Sequence, residues 1–208
     1  MLVAVLAALA IPMPVPPAIS HAIAATPVAA EVRFTLAPTG NEARYRVREQ
    51  LAGLDFPNDA IGKTSDVTGT LVFDDNGQVV AEQSKIVIGL KTLASDKERR
   101  DGYVQRRTLV TDSFPTAEFT VRSVSRLDWP LPTSGALQFT ITGDLTIKGV
   151  TRSTTWQVMA NATPASYRGT ASTRFTFEDF GLSKPRVASV LSVDDNIALE
   201  FDFNFVRM

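Results

Sequence analysis

From Glu31 to the C-terminus, apolar residues recur at every second position, the pattern of strands that bury one face. Tyr45, Val47 and Leu51 alternate with Arg44, Arg46, Arg48 and Gln50. Val67, Gly69, Leu71 and Phe73 form the next run, which ends at Asp74-Asp75-Asn76-Gly77, a strong turn signal. Ile86, Ile88 and Leu90 read as the strand that returns antiparallel to it, with Lys85 and Lys91 on the opposite face. Phe119 and Val121 open a strand that runs on toward Leu127 and Trp129. Leu137, Phe139, Ile141, Leu145 and Ile147 make a long strand with a bend or bulge at Gly143. Across a Lys148-Gly149 turn follow Val150, Arg152, Thr154, Trp156 and Val158. Tyr167 to Phe177 alternates again, and Ile197, Leu199, Phe201, Phe203 and Phe205 form the clearest stripe of all.

One segment breaks the period. Ser95-Asp96-Lys97-Glu98 has the spacing of a capping box, and the residues to about Leu109 permit a short helix in spite of Gly102. The pattern therefore predicts an all-β domain of eight antiparallel strands with one short helical segment. Such strands can close into an up-and-down barrel; a β-sandwich fits the same alternation. An eight-stranded barrel is either just filled by side chains or holds one small ligand.

The first thirty residues are different. Leu2 to Ile11 is wholly apolar, too short for the ~20 residues a bilayer span needs, and Pro12, Pro14, Pro16 and Pro17 follow it. Small-residue sites come next at Ala22-Ile23-Ala24 and Val28-Ala29-Ala30. Residues 1–30 read as a secretory signal peptide and leader, although no Lys or Arg precedes the apolar run; a plain apolar tail is the alternative. The expected mature domain is residues 31–208, beginning between Ala25 and Glu31 and located in the periplasm or secreted.

Composition narrows the chemistry. The chain has no cysteine, and its one histidine, His21, lies in the leader. A mature chain without either has no imidazole base, no thiol nucleophile and none of the ligands that dominate zinc sites. No metal and no cofactor is expected. A net charge of −1 offers no electrostatic footprint for nucleic acid. Glu178-Asp179 could in principle act as acid and base, but adjacent carboxylates in a loop are usually just solvated. Glu49 falls on the apolar face of its strand: either it points inward toward a cationic partner, or a bulge turns it out.

The apolar stripes are rich in phenylalanine. Each Phe alone is most simply a core residue; the set would also suit the lining of a pocket for a long hydrocarbon. Three segments add to this: Arg99-Arg100-Asp101 with Asp112-Ser113-Phe114-Pro115-Thr116-Ala117-Glu118-Phe119, then Gly143 to Arg152, then Phe177-Glu178-Asp179-Phe180-Gly181-Leu182. In that order, over about Tyr45 to Phe205, the chain resembles the YceI family of secreted, lipocalin-like, lipid-binding barrels. Members often carry a His-Ser pair in the first strand; here that region reads Tyr45 to Leu51 without it.

The resemblance implies a hollow barrel holding a polyisoprenoid or other long apolar chain, with no reaction. Its expected lining is Phe73, Ile88, Phe119, Phe139, Ile141, Leu145, Trp156, Phe175, Phe177, Phe201 and Phe203. Arg100 and Asp101 would stand at the pocket mouth, where an arginine could meet a ligand phosphate, or would form a structural pair holding the helix to the barrel. Two other functions remain open on sequence alone: a filled barrel acting through its outer surface, and a carboxylate-dependent lipid enzyme.

Overall fold

The computed structural model describes residues 31–208; the predicted leader lies outside the described residues. β1 (Val32–Leu36) and β2 (Glu42–Leu51) are two halves of one long strand, because both run antiparallel to the last strand, β10 (Val190–Arg207). β3 (Asn58–Thr64) and β4 (Val67–Phe73) are likewise two halves, facing β2 and β1 respectively. β5 (Lys85–Gly89), β6 (Thr116–Ser125), β7 (Gly135–Ile147), β8 (Val150–Ala162) and β9 (Ser166–Thr176) continue the antiparallel order to β10, which pairs with β1. With each interrupted strand counted once, this is a closed eight-stranded up-and-down barrel. Closure through β1–β10 rules out the sandwich, whose two sheets would keep free edges.

Both interruptions have a local cause. Between β1 and β2 the chain bulges through Gly40, at φ +87°, and two asparagines stitch the gap. Asn41 Nδ2 donates to Ala37 O (2.6 Å), its Oδ1 accepts from Asn204 N (2.9 Å), and Asn204 Nδ2 donates to Thr39 O (3.3 Å). The second interruption separates β3 from β5. Lys63 pairs its backbone with Ala94 instead (2.9 and 3.0 Å), so the residues after β5 fill the opening that results. This brings the following helix over that end of the barrel.

The helix, α1 (Glu98–Tyr103), continues as a π-helical stretch, Val104–Leu109, and stops at Val110 in the left-handed conformation. Its start corrects the expected capping box. Asp101, not Glu98, reaches back: its Oδ1 accepts from Ser95 N (2.8 Å) and Ser95 Oγ (2.6 Å). β6 also ends earlier than expected, at Ser125, so Leu127 and Trp129 belong to a loop. That loop closes the far end of the barrel. Trp129 lies over Gly77 and Phe73, Leu131 is buried, and Tyr167 donates its hydroxyl to Pro132 O at 2.6 Å.

The bend foreseen at Gly143 is a bulge, with the extra residue on β6 between Val121 and Ser123. A Cβ at Gly143 would run into Thr120 O and the Phe119 ring, so the close approach requires glycine. Outside the barrel, ion pairs join β2 to its two neighbours, β10 and β3. Arg44 meets Glu200 (3.2 Å) and Asp202 (2.5 Å), and Arg46 meets Glu200 (3.2 Å) and Asp59 (3.1 Å). The alternation of arginine and apolar residues in β2 thus separates outer and inner faces.

Candidate functional site

Inside the barrel is an apolar cavity of about 230 Å³. Tyr45, Ile88, Ile141 and Leu199 show that the interior is not filled. Strand parity points each of them inward, yet each is only partly buried and lines the cavity. Polar outward positions and apolar inward ones follow from the period-two pattern, so the wall is almost wholly hydrocarbon and aromatic.

Ten of the eleven residues expected in the lining are on that wall: Ile88, Phe119, Phe139, Ile141, Leu145, Trp156, Phe175, Phe177, Phe201 and Phe203. Phe73 is not. It is 2% exposed and packs at the closed end between Phe34 (6.4 Å between ring centroids) and Trp129 (6.2 Å). Its stripe points inward, but the loop carrying Trp129 and Leu131 fills the space beneath it, and no alternation pattern reveals a loop that folds back.

The two ends of the cavity differ. At the closed end its lining residues Phe34, Tyr167 and Phe205 are buried, with the rings of Phe34 and Tyr167 stacked at 5.1 Å. At the other end α1 and its extension contribute Arg100, Val104, Thr108 and Leu109, the β9–β10 connection contributes Leu182 and Pro185, and the start of β10 contributes Val193. Val104, Leu182, Pro185 and Val193 are partly exposed, which marks this as the open end.

The polar groups of the site gather here. The irregularity in pairing, residues 194–196 of β10, lies opposite Arg48, and the neighbouring Glu49, paired with Val193, points inward. Its Oε1 accepts from Arg100 at 2.5 Å; the Glu49 side chain is 8% exposed and that of Arg100 13%. Arg100 also donates to Asp96 Oδ1 (2.5 Å) and Ser95 Oγ (3.2 Å). Burial pulls the Arg100 pKa down, but the hydrogen bonds to Asp96 and Glu49 outweigh it and hold the guanidinium above its ordinary value. The hydrogen bond from Arg100 lowers Asp96. Burial pushes the Tyr45 hydroxyl up to about 12, so this phenol keeps its proton. Of the expected mouth pair, Arg100 lines the cavity, whereas Asp101 does not and serves to hold Ser95.

Several lining residues were not among those singled out from the sequence. Phe34 alternates with Arg33 and Thr35, so its signal was present in the pattern. Val104 and Thr108 had none, since a thin helical stripe does not show which end of a barrel it covers. Among the described residues, no group of three or more His, Cys, Asp or Glu side chains could hold a metal ion, and no helix is long and apolar enough to cross a membrane.

A closed antiparallel barrel of eight strands around an open-ended apolar cavity defines a lipocalin-like container. The family follows from comparison: the YceI-like domain matches residues 34–205, and the chain belongs to that family. A search of curated protein sequences finds no match. Among solved structures, a polyisoprenoid-binding domain from Saccharophagus degradans, implicated in plant cell wall breakdown, shares 13% identity at a TM-score of 0.66, covering 84% of this chain and 98% of its own. Burkholderia cenocepacia BcnA shares 15% at 0.60, covering 81% and 98%. Campylobacter jejuni YceI shares 16% at 0.56, covering 76% and 90%.

The three segments that carried the resemblance converge on the open end. Arg100 is in the helix above it, and Phe114 lies against the β7–β8 turn at Gly149. Phe180, fully buried, packs its ring 4.6 Å from that of Phe175. Asp179 of the same segment is tied into a turn, accepting from Thr176 N (2.7 Å) and Oγ1 (2.9 Å).

Proposed function

We propose that this protein is an exported carrier that holds a polyisoprenoid or similar long apolar chain inside its barrel and catalyses no reaction on it. The observation that carries this reading is the unfilled hydrocarbon wall around Ile88, Ile141 and Leu199, open at the helix end. Family membership and the fold shared with the Saccharophagus domain support it. Each buried methylene contributes about 0.8 kcal/mol, so a few isoprene units overcome the ordering costs of a micromolar complex. The one carboxylate on the wall whose side chain points inward, Glu49, is bound to Arg100, which favours binding over acid–base work.

Organic extraction of the protein purified from its own host, followed by mass spectrometry, tests the carrier. A prenyl or acyl chain near one per protein is the expected result. Empty protein that also fails to bind an added fluorescent prenyl probe would leave the surface-interaction reading in its place. Export rests on the apolar run Leu2 to Ile11 and the small-residue sites after it. Intact mass of protein from the exported fraction should show a start between Ala25 and Glu31; an uncleaved cytoplasmic chain would refute export.

A further inference from the structure

We propose that a ribbon projecting beside the mouth of the cavity is a membrane-docking tip: Leu54, Phe56, Val187 and Leu191 enter the surface of a phospholipid bilayer with zwitterionic head groups and seat the open end of the barrel on it. The docking stands apart from the carrier reading; passage of a guest between bilayer and cavity rests on that reading.

Strands of unequal length build the tip. β9 stops at Thr176, opposite Asn196 of β10, and β3 begins only at Asn58, opposite Glu49 of β2. β2 and β10 run on together to Leu51 and Val190, so residues 50–57 and 187–192 form a two-stranded ribbon past the rim. Hydrogen bonds tie it together: Ala52 N donates to Ser189 O (3.0 Å), Val190 N to Val187 O (2.9 Å) and Gln50 Nε2 to Leu54 O (2.6 Å). From Val190 to Ser192 β10 takes two steps where β2 takes one, so Leu191 is the extra residue of a bulge, and its side chain is 66% exposed. Seven large apolar side chains are exposed among the described residues, and four of them, Leu54, Phe56, Val187 and Leu191, are on this ribbon. A single exposed apolar side chain is ordinary, whereas four at one tip mark an interaction surface.

Three observations make a lipid surface the occupant. The patch is continuous with the cavity wall: Pro185 and Val193, two residues away from Val187 and Leu191, line the cavity, so a hydrocarbon chain crossing here stays against apolar surface. The patch is small, roughly 400 Å² of apolar side chain, about half of the ~800 Å² per partner that a stable protein complex buries, so a second copy of the chain gains too little from it. A bilayer needs no matching shape, only side chains that reach below the head groups. The charges around the patch cancel. On the ribbon side Arg48 pairs with Asp59 and Lys184 with Asp195, both at 3.4 Å, and Arg186, Asp55 and Asp194 are the remaining charges. Residues 96–107, over the mouth, carry five cations, Arg99, Arg106 and Arg107 exposed among them, against three carboxylates, and Glu49 beneath Arg100 is a fourth. One excess anion on the ribbon side thus meets one excess cation on the helix side. Such a face suits head groups that themselves carry both signs and has no net charge to bring it to an anionic surface.

The test is co-sedimentation of the protein with phosphatidylcholine vesicles that contain no prenyl guest. Wild type should bind them, and the affinity should change by less than about threefold on adding phosphatidylglycerol or raising the salt. Leu54→Ser combined with Phe56→Ser should weaken binding by about tenfold or more, and Leu191→Ser, on the other strand of the ribbon, should weaken it in the same direction. All three side chains are exposed, so the Tm of each variant should stay within about 2 °C of wild type and its affinity for a fluorescent prenyl probe in solution should be unchanged. Met159→Ser, exposed on β8 away from the ribbon, should leave vesicle binding as it is. Absence of vesicle binding by wild type overturns the proposal. So does binding that appears only on anionic vesicles at low salt, binding kept by both ribbon variants, or a Phe56-dependent dimer in sedimentation that ignores vesicles. Probe binding without vesicle binding refutes the docking tip alone; vesicle binding lost in the ribbon variants, with no probe bound by any of the proteins, upholds the tip and refutes the carrier.

Discussion

Ile141→Trp separates a hollow barrel from a filled one. Ile141 points inward from the middle of β7, cross-strand from Trp156, and is only partly buried because its tip faces the cavity. The substitution adds six heavy atoms. In a close-packed core that much extra bulk costs about 1–3 kcal/mol or more through off-rotamer side chains and backbone shifts. Here the space in front of the side chain is about 230 Å³, against the ~10–15 Å³ of such volume that one water requires. The indole therefore enters existing space, buries its own apolar surface and leaves stability within about 1 kcal/mol of wild type. At this chain length 1 kcal/mol corresponds to a shift of roughly 2–4 °C, so the expected Tm change stays within about 4 °C. The same indole takes volume from the guest, and affinity for a long prenyl probe should fall by about tenfold or more. Thermal unfolding followed by circular dichroism, with probe titration below the transition, reads both quantities. A Tm loss beyond roughly 8 °C together with no probe binding by wild type would show that the interior is packed solid and that the carrier reasoning is wrong.

Phe73→Ala should behave in the opposite way: it empties a packed site at the closed end, costing about 3–5 kcal/mol in denaturant unfolding, while the folded protein keeps its probe affinity. Loss of affinity at temperatures where the variant is fully folded would place Phe73 in the site after all. Gly143→Ala should destabilise by about 1–3 kcal/mol, since its Cβ meets Thr120 O, a backbone atom that cannot rotate away; an unchanged unfolding midpoint would contradict the close approach. Hydrogen bonds from Arg46 and Arg44 lower the pKa values of Glu200 and Asp202. Depressed carboxylates contribute stability above their unfolded values and lose it as pH falls through the folded ones, so stability should hold near neutrality and drop below about pH 4. Arg44→Gln should shrink that acid drop, and an identical pH profile in the variant would disprove the assignment.

Much of this architecture was legible in the chain because strand alternation is a local property. Whether a residue faces in or out depends on its neighbours two positions away, so the inner stripes of β7, β9 and β10 and all but one of the expected wall residues could be placed from parity. The absence of cysteine, and of any histidine beyond His21, restricted the chemistry before any fold was known. Other features arise only when distant segments meet. That β1 and β2 are one strand depends on both finding β10. Phe73 was assigned to the wall because its parity is right; the loop bearing Trp129 and Leu131 decides otherwise, from more than fifty residues away. Glu49 could point in or out until Arg100 was brought over it from a helix whose own sequence does not say where it docks. Whether the interior is hollow is a matter of volume. Alternation specifies the facing of each side chain, but only the closed barrel sets how far apart the opposing walls stand and how much space they leave between them.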